Sequence, residues 1–329
     1  MEASRRRLIA GGAAMLAARA SSVKAQGGSG FPDRPVRIVV PFAPGGITDI
    51  LARAAADRLS PLLGQPVVVE NRAGAGGNIG SEAVAKAPAD GHVLLAVGPA
   101  VMGIAKPLHD RLNYDPDADF ACLGLFGAQA NVMLVSPRAL PEPTLAAFLA
   151  AARARPGEVA FGSSGNGSLT HLTAELLAAD AGLRLVHVPY RGSPPALADL
   201  AGGQISMMFD AITTALPLHQ GGQARIVGTA TAARIPDLPD VPSLVEAGFP
   251  SLDAVNWFGL FAPAGVPGPV QARLRAALAE VVSSDGYRTL MRSRSAQPIE
   301  LAGRSLEEFL AQERRRWSEA VVRSGARAG

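Results

Sequence analysis

Val36-Arg37-Ile38-Val39-Val40-Pro41-Phe42-Ala43-Pro44-Gly45-Gly46-Ile47-Thr48-Asp49 reads as a strand, a glycine-rich turn and the start of a helix. The β-branched run is strand-like. Beyond the turn, Ile47, Ile50, Leu51, Ala54 and Ala55 recur at helical spacing until Pro61 and Gly64 end the pattern. Glycine permits φ > 0 and lets a ligand approach the backbone. The helix start behind it offers unpaired N–H groups and a partial positive charge, which suit an anion. Asp49 stands in that first turn, where its own carboxylate competes for the helix terminus, so we read it as an organiser of the loop.

Outward from this stretch, strand-like and helix-like segments alternate. The pattern predicts strands at 67–69 and 92–97 around a helix at 78–87. It repeats with a helix at 145–154, strand 159–161, helix 169–181, strand 185–188, helix 195–200, strand 205–209, helix 212–220 and strand 225–229. A proline-rich connection at 235–242 precedes a strand at 258–262, and helices at 269–283 and 306–324 close the chain. Strands separated by helices argue for mostly parallel sheets covered on both faces. The 329 residues suffice for two such α/β units. We place the division near Gly127, and expect the C-terminal helices to pack back on the first unit. The domains are then 31–126 plus 259–329, and 127–258.

Hydrophobic residues make up 48% of the chain and charged ones 18%, which excludes a disordered tail. The single cysteine, Cys122, excludes an internal disulfide and a cysteine metal cluster. The chain's net charge is +3, and residues 1–25 account for more than all of it, since Arg5, Arg6, Arg7, Arg19 and Lys24 face only Glu2 there. The remainder is nearly neutral, which leaves no argument for a nucleic-acid partner. Residues 1–25 read as an export signal: a basic start, an apolar stretch at 8–18, and Val23-Lys24-Ala25 for cleavage. The order fits twin-arginine as well as general export. A periplasmic protein with the signal removed is expected.

Further strand-to-helix junctions are also rich in donors. They are Phe161-Gly162-Ser163-Ser164-Gly165-Asn166-Gly167-Ser168, Tyr190-Arg191-Gly192-Ser193-Pro194, Gly98-Pro99, and Gly74 to Gly77. In such sheets ligands gather beyond the C-terminal strand ends. Two units facing each other would aim helix N-termini into one cleft, a seat for an anion, a carboxylate ahead of a phosphate. Asp210 ends an apolar strand; it reads either as a partner for a ligand amine or hydroxyl, or as a helix cap. Trp257 and Phe258 read as pocket wall or as core.

Catalytic patterns are weak. Asn166 breaks the G-x-S-x-G elbow. Ser168 and His171 lack an orienting acid. The five histidines show no close metal spacing, and Gly74-Ala75-Gly76-Gly77-Asn78-Ile79-Gly80 departs from a dinucleotide fingerprint at Ile79. The alternative to a binding protein is an exported α/β enzyme acting on a small carboxylate at the same cleft.

Several blocks resemble the Bug family, the TctC-like extracytoplasmic solute receptors of tripartite tricarboxylate transporters. They are Phe31-Pro32-x-Arg34-Pro35, Pro41-Phe42-x-x-Gly45-Gly46-x-Thr48-Asp49, Gln65 to Arg72, Gly74 to Asn78, and Gly165-Asn166-Gly167-Ser168 with His171-Leu172. His187 to Gly192, Met208-Phe209-Asp210, Leu238 to Pro242 and Trp257 to Leu260 complete the series, in order. The resemblance implies a periplasmic binding protein type II-like fold, two doubly wound α/β domains around a ligand cleft. It implies a small carboxylate as ligand and membrane permease subunits as partners. The family's carboxylate seat carries over to Phe42, Ala43, Gly45, Gly46 and Thr48, and to Ser163, Asn166, Gly167 and Ser168. Asp210 and Gly98-Pro99-Ala100 would face the variable end of the ligand. Asp49, His171, Arg191, Gly192 and Trp257 complete the candidate set. No cofactor, metal or catalytic residue is expected, and a monomer is.

Overall fold

The computed structural model describes residues 30–297 and 305–326. The expected export signal lies outside the described residues. The first run of elements is β1 (Val36–Val40), α1 (Ile47–Leu63), β2 (Val67–Asn71), α2 (Asn78–Ala85), β3 (Val93–Val97), α3 (Ala105–Leu108) and β4 (Phe120–Gln129). The second is β5 (Asn131–Val135), α4 (Leu145–Ala154), β6 (Ala160–Ser163), α5 (Leu169–Ala181), β7 (Val186–Pro189), α6 (Ser193–Gly202), β8 (Met207–Ala211), α7 (Ile212–Gln220) and β9 (Arg225–Thr229). The chain closes with β10 (Asn256–Pro263), α8 (Gly268–Ser283), α9 (Asp285–Arg292), β11 (Ala296–Gln297) and α10 (Leu306–Ser324).

The strands form a six-stranded sheet, β11-β4-β10-β3-β1-β2, and a five-stranded sheet, β7-β6-β8-β5-β9. Each sheet with its helices is called a lobe below, and both lobes lie within the compact unit that begins at Pro32. The βαβ units pair in parallel, β1 with β2 and β3, and β6 with β7 and β8. The expectation of mostly parallel sheets needs correction at the changeovers. β10 runs antiparallel to β3 and β4, and β5 antiparallel to β8 and β9. These strands carry the chain between lobes and need no helical crossover to reach their neighbours. The sequence pattern omits β4 and β5 because glycines and alanines dilute β4 and only Ala130 separates the two.

The chain leaves the first sheet after Gln129 and re-enters it at Asn256, a few residues inside the expected divisions. α1 buries Ile47, Leu51, Ala52, Ala55, Ala56, Leu59 and Leu63 on one face. It runs past Pro61 and ends at Gly64, which takes φ 76° and returns its N–H to Ser60. α8 packs against α1 and β4, as expected of a C-terminal helix of the first lobe. α10 departs from that expectation: it lies against α5 of the second lobe and against the π-helical turn Ala100–Ile104 of the first. Phe309 and Leu310 join the core of the first sheet, while Trp317 and Val321 join that of the second. Between them Glu313 accepts hydrogen bonds from the indole N–H groups of Trp257 (2.6 Å) and Trp317 (3.1 Å). The Arg314-Arg315-Arg316 run lies beside this seam. Arg314 pairs with Asp117 at 2.7 Å and the Arg316 guanidinium lies over the Trp317 ring.

Candidate functional site

The two sheets turn the ends of β1, β3, β6 and β8 toward one another. Between them is a cavity of about 50 Å³. Its first-lobe wall is Phe42, Ala43, Gly46, Ile47 and Thr48, with Gly98, Pro99 and Ala100 after β3. Its second-lobe wall is Ser164, Ser168, Leu169 and Thr170, with Ser193 and Asp210; Asn256 and Phe258 of β10 close one side.

The first wall is built around Asp49. Gly46 caps α1 with no side-chain hydrogen bond, so the first-turn amides of Ile47 and Thr48 keep no acceptor among the described residues. Asp49 folds back instead of reaching the cavity. Its Oδ2 accepts the Gly45 N–H at 3.0 Å, and its Oδ1 accepts from Asn71 (3.0 Å) and Arg53 (2.9 Å). Asn71 also donates to the Phe42 carbonyl at 3.1 Å. Burial opposes the charge on Asp49, but Arg53, the Gly45 amide and Asn71 outweigh it and hold the carboxyl below its ordinary range. The sequence reading of Asp49 as a loop organiser describes this geometry.

The second wall is a hydroxyl cluster at the start of α5. Ser168 caps the helix, accepting the His171 N–H at 3.2 Å. Thr170 Oγ1 accepts the Ser164 N–H at 2.9 Å and lies 3.1 Å from Ser164 Oγ and 3.0 Å from Ser168 Oγ. At the floor, Asp210 is 2% exposed. Ser193 and Thr214 each donate a hydroxyl to it at 2.6 Å. Burial pushes its carboxyl up from the usual range, against the pull of those two hydroxyls. Ser193 is the first residue of α6, which Gly192 caps without a side-chain hydrogen bond.

Of the candidate residues, Phe42, Ala43, Gly46, Thr48, Gly98, Pro99, Ala100, Ser168 and Asp210 line the cavity. Asn166 and Arg191 line instead a neighbouring cavity of about 200 Å³, which shares Phe42 and Ser164 with the first. Gly45 and Asp49 stand behind the first turn. Ser163, Gly167 and His171 lie behind the second: Ser163 meets His187, and the Gly167 N–H donates to His171 Nδ1 at 3.2 Å. Gly192 packs on Ala43 across the cleft, where a Cβ would come within 2.8 Å of the alanine methyl. Trp257 is core, held by Glu313.

Ile47, Ser164, Leu169, Thr170, Ser193, Asn256 and Phe258 also line the cavity, outside the candidate set; of these the sequence offered Phe258 as pocket wall or core. Neighbours on a strand point to opposite sides, so within β10 Asn256 and Phe258 line the cavity where Trp257 does not, while Ser164 lines it from the bend just past the end of β6. The motif supplies the pair; only the packing supplies the phase. Among the described residues no group of three or more His, Cys, Asp or Glu is placed to hold a metal ion.

Two α/β lobes with their strand ends and helix N-termini converging on an interlobe cavity define the architecture of a periplasmic binding protein. The model of the tripartite tricarboxylate transporter family receptor, TctC, matches residues 51–325, and the chain belongs to that family. It is a family of solute-binding receptors, not of enzymes. The chain is 35% identical to protein BugT of Bordetella pertussis over 90% of its length and 91% of the relative's. It superposes on the R. palustris protein Rpa4515 with adipate with a TM-score of 0.84, at 35% identity and covering 90% of this chain and 98% of that one. MatC of Rhodopseudomonas palustris with bound malate gives a TM-score of 0.83, at 34% identity over 88% of this chain and 100% of that one.

Proposed function

We propose that this protein is an exported, periplasmic, monomeric receptor that closes its two lobes on a small carboxylate. It then delivers that ligand to the permease subunits of a tripartite tricarboxylate-type transporter. The observation that carries the reading is one cavity walled by the uncapped first turn of α1 on one lobe and by the Ser164, Ser168 and Thr170 hydroxyls at the start of α5 on the other. Main-chain amides and hydroxyls at helix N-termini favour a carboxylate without requiring a cationic side chain. Adipate and malate in two structures of the same family support that class of ligand.

An organic acid enters with the lobes apart, and closure follows from its better fit to the closed state. Thermal unfolding against a panel of mono-, di- and tricarboxylates tests the reading. A matching acid at about 100 times its Kd adds roughly 2.7 kcal/mol of stability. No shift across the panel, or steady conversion of an acid to product, overturns it.

A further inference from the structure

Three rings are stacked beneath the second glycine-rich turn. Phe161 on β6 and His187 on β7 are register partners, with ring centroids 4.8 Å apart. His187 stacks in turn on His171 of α5 at 3.9 Å. Neither imidazole lines the cavity, yet each bonds one end of the turn that does. The Gly167 N–H donates to His171 Nδ1 at 3.2 Å, and Ser163 Oγ lies 2.6 Å from His187 Nε2. Ser163 Oγ also accepts the Gly165 N–H at 3.2 Å, so the second contact reaches the middle of the turn.

We propose that His171 and His187 are a positioning pair, two neutral stacked imidazoles that fix both ends of the 163–167 turn and so present Ser164, Ser168 and Thr170 to the ligand. The proposal rests on the carboxylate-receptor reading for what the turn holds, and on the ring geometry for how it is held. An Nδ1 that accepts a hydrogen bond carries no proton, so the His171 proton resides on Nε2, 3.6 Å from Glu175 Oε1. A proton added at Nδ1 would face the Gly167 N–H, and two imidazolium rings at this spacing would repel. Tyr190 and Arg191 line the cavity beside the turn, with Ser164, Gly165 and Asn166, and His109 stands at the end of α3. Its Nε2 lies 2.9 Å from Asn78 Nδ2 and 3.5 Å from where Gly167 would carry a Cβ.

An isosteric amide series on the full chain tests this. Asn places an amide atom where Nδ1 stands and Gln where Nε2 stands, so His171→Asn and His187→Gln keep the atom in use while His171→Gln and His187→Asn remove it. Amide exchange of Gly165 and Gly167 is followed by NMR, and binding of malate and adipate by calorimetry. We expect the Gly167 amide to exchange about five- to tenfold faster in His171→Gln than in His171→Asn, the range for one lost buried hydrogen bond. Gly165 should respond in the same sense to His187→Asn against His187→Gln. Whichever acid the wild type binds should weaken by a similar factor within each pair. Nitrogen-15 ring spectra of the wild type should show the His171 proton on Nε2, a readout that stands if a variant fails to fold. A proton on Nδ1, or equal exchange and affinity within each pair, overturns the proposal. If the wild type binds no carboxylate, the receptor reading fails while exchange and tautomer still decide the role of the histidines.

Discussion

The carbonyl oxygen of Asn166 occupies the space in which Gly76 would carry a β-carbon. Gly76 belongs to the first lobe and Asn166 to the second, so the two glycine-rich turns touch backbone to backbone across the cleft. Gly76 also has φ 65°, a conformation that favours glycine. Gly192 against Ala43 makes a second such contact between the lobes.

Gly76→Ala should therefore impede closure. A left-handed alanine costs about 1–2 kcal/mol, and its methyl group would meet the Asn166 carbonyl of the other lobe. We expect ligand affinity to fall at least tenfold, with a larger radius of gyration by small-angle scattering in saturating ligand. Unchanged affinity would show that the seam does not limit closure.

Asp49 holds the first turn through Gly45, Asn71 and Arg53. Asp49→Ala leaves the part-buried Gly45 N–H and Asn71 amide without this acceptor. About 1–3 kcal/mol of stability should be lost, with a parallel loss of affinity. Asn71→Ala should be non-additive with it in a double-mutant cycle, because the two share one hydrogen bond. Denaturant titration of the four proteins measures the coupling.

Phe42 walls both the cavity of about 50 Å³ and its neighbour of about 200 Å³. Phe42→Ala should join them. The expected outcome is a shift in preference toward longer diacids, with adipate gaining about tenfold over malate relative to wild type. Calorimetric titration with both acids checks this; an unaltered ratio would place the length limit elsewhere.

Burial, and then the neighbouring His171, lower the His187 pKa from 6.5 to about 3. The folded value lies below the unfolded one, so the contribution to stability is complete above about pH 6.5 and is lost as pH falls toward 3. Allowing for solvent screening of a partly exposed ring, about 1 kcal/mol should be lost between pH 7 and pH 5. His187→Gln has no such proton to exclude. Its stability should decline less over that interval, as urea unfolding at the two pH values will show.

Much of this protein was legible in its residues. The β-branched and helix-spaced runs located β1, α4, α5, α7, β9 and α10 at their observed bounds, because local pattern and burial agree there. The glycine-rich turns marked where the cleft is built, because close backbone approach needs the absence of a β-carbon. Three things were settled by tertiary structure alone. The antiparallel β4, β5 and β10 depend on which strands meet after the chain changes sheets, a long-range pairing that no local period encodes. The straddling position of α10 depends on apolar residues at its two ends finding different cores. The choice of Phe258 over Trp257 at the cavity depends on strand phase. Alternation fixes that neighbours face opposite ways, and only the packed layers decide which way is in.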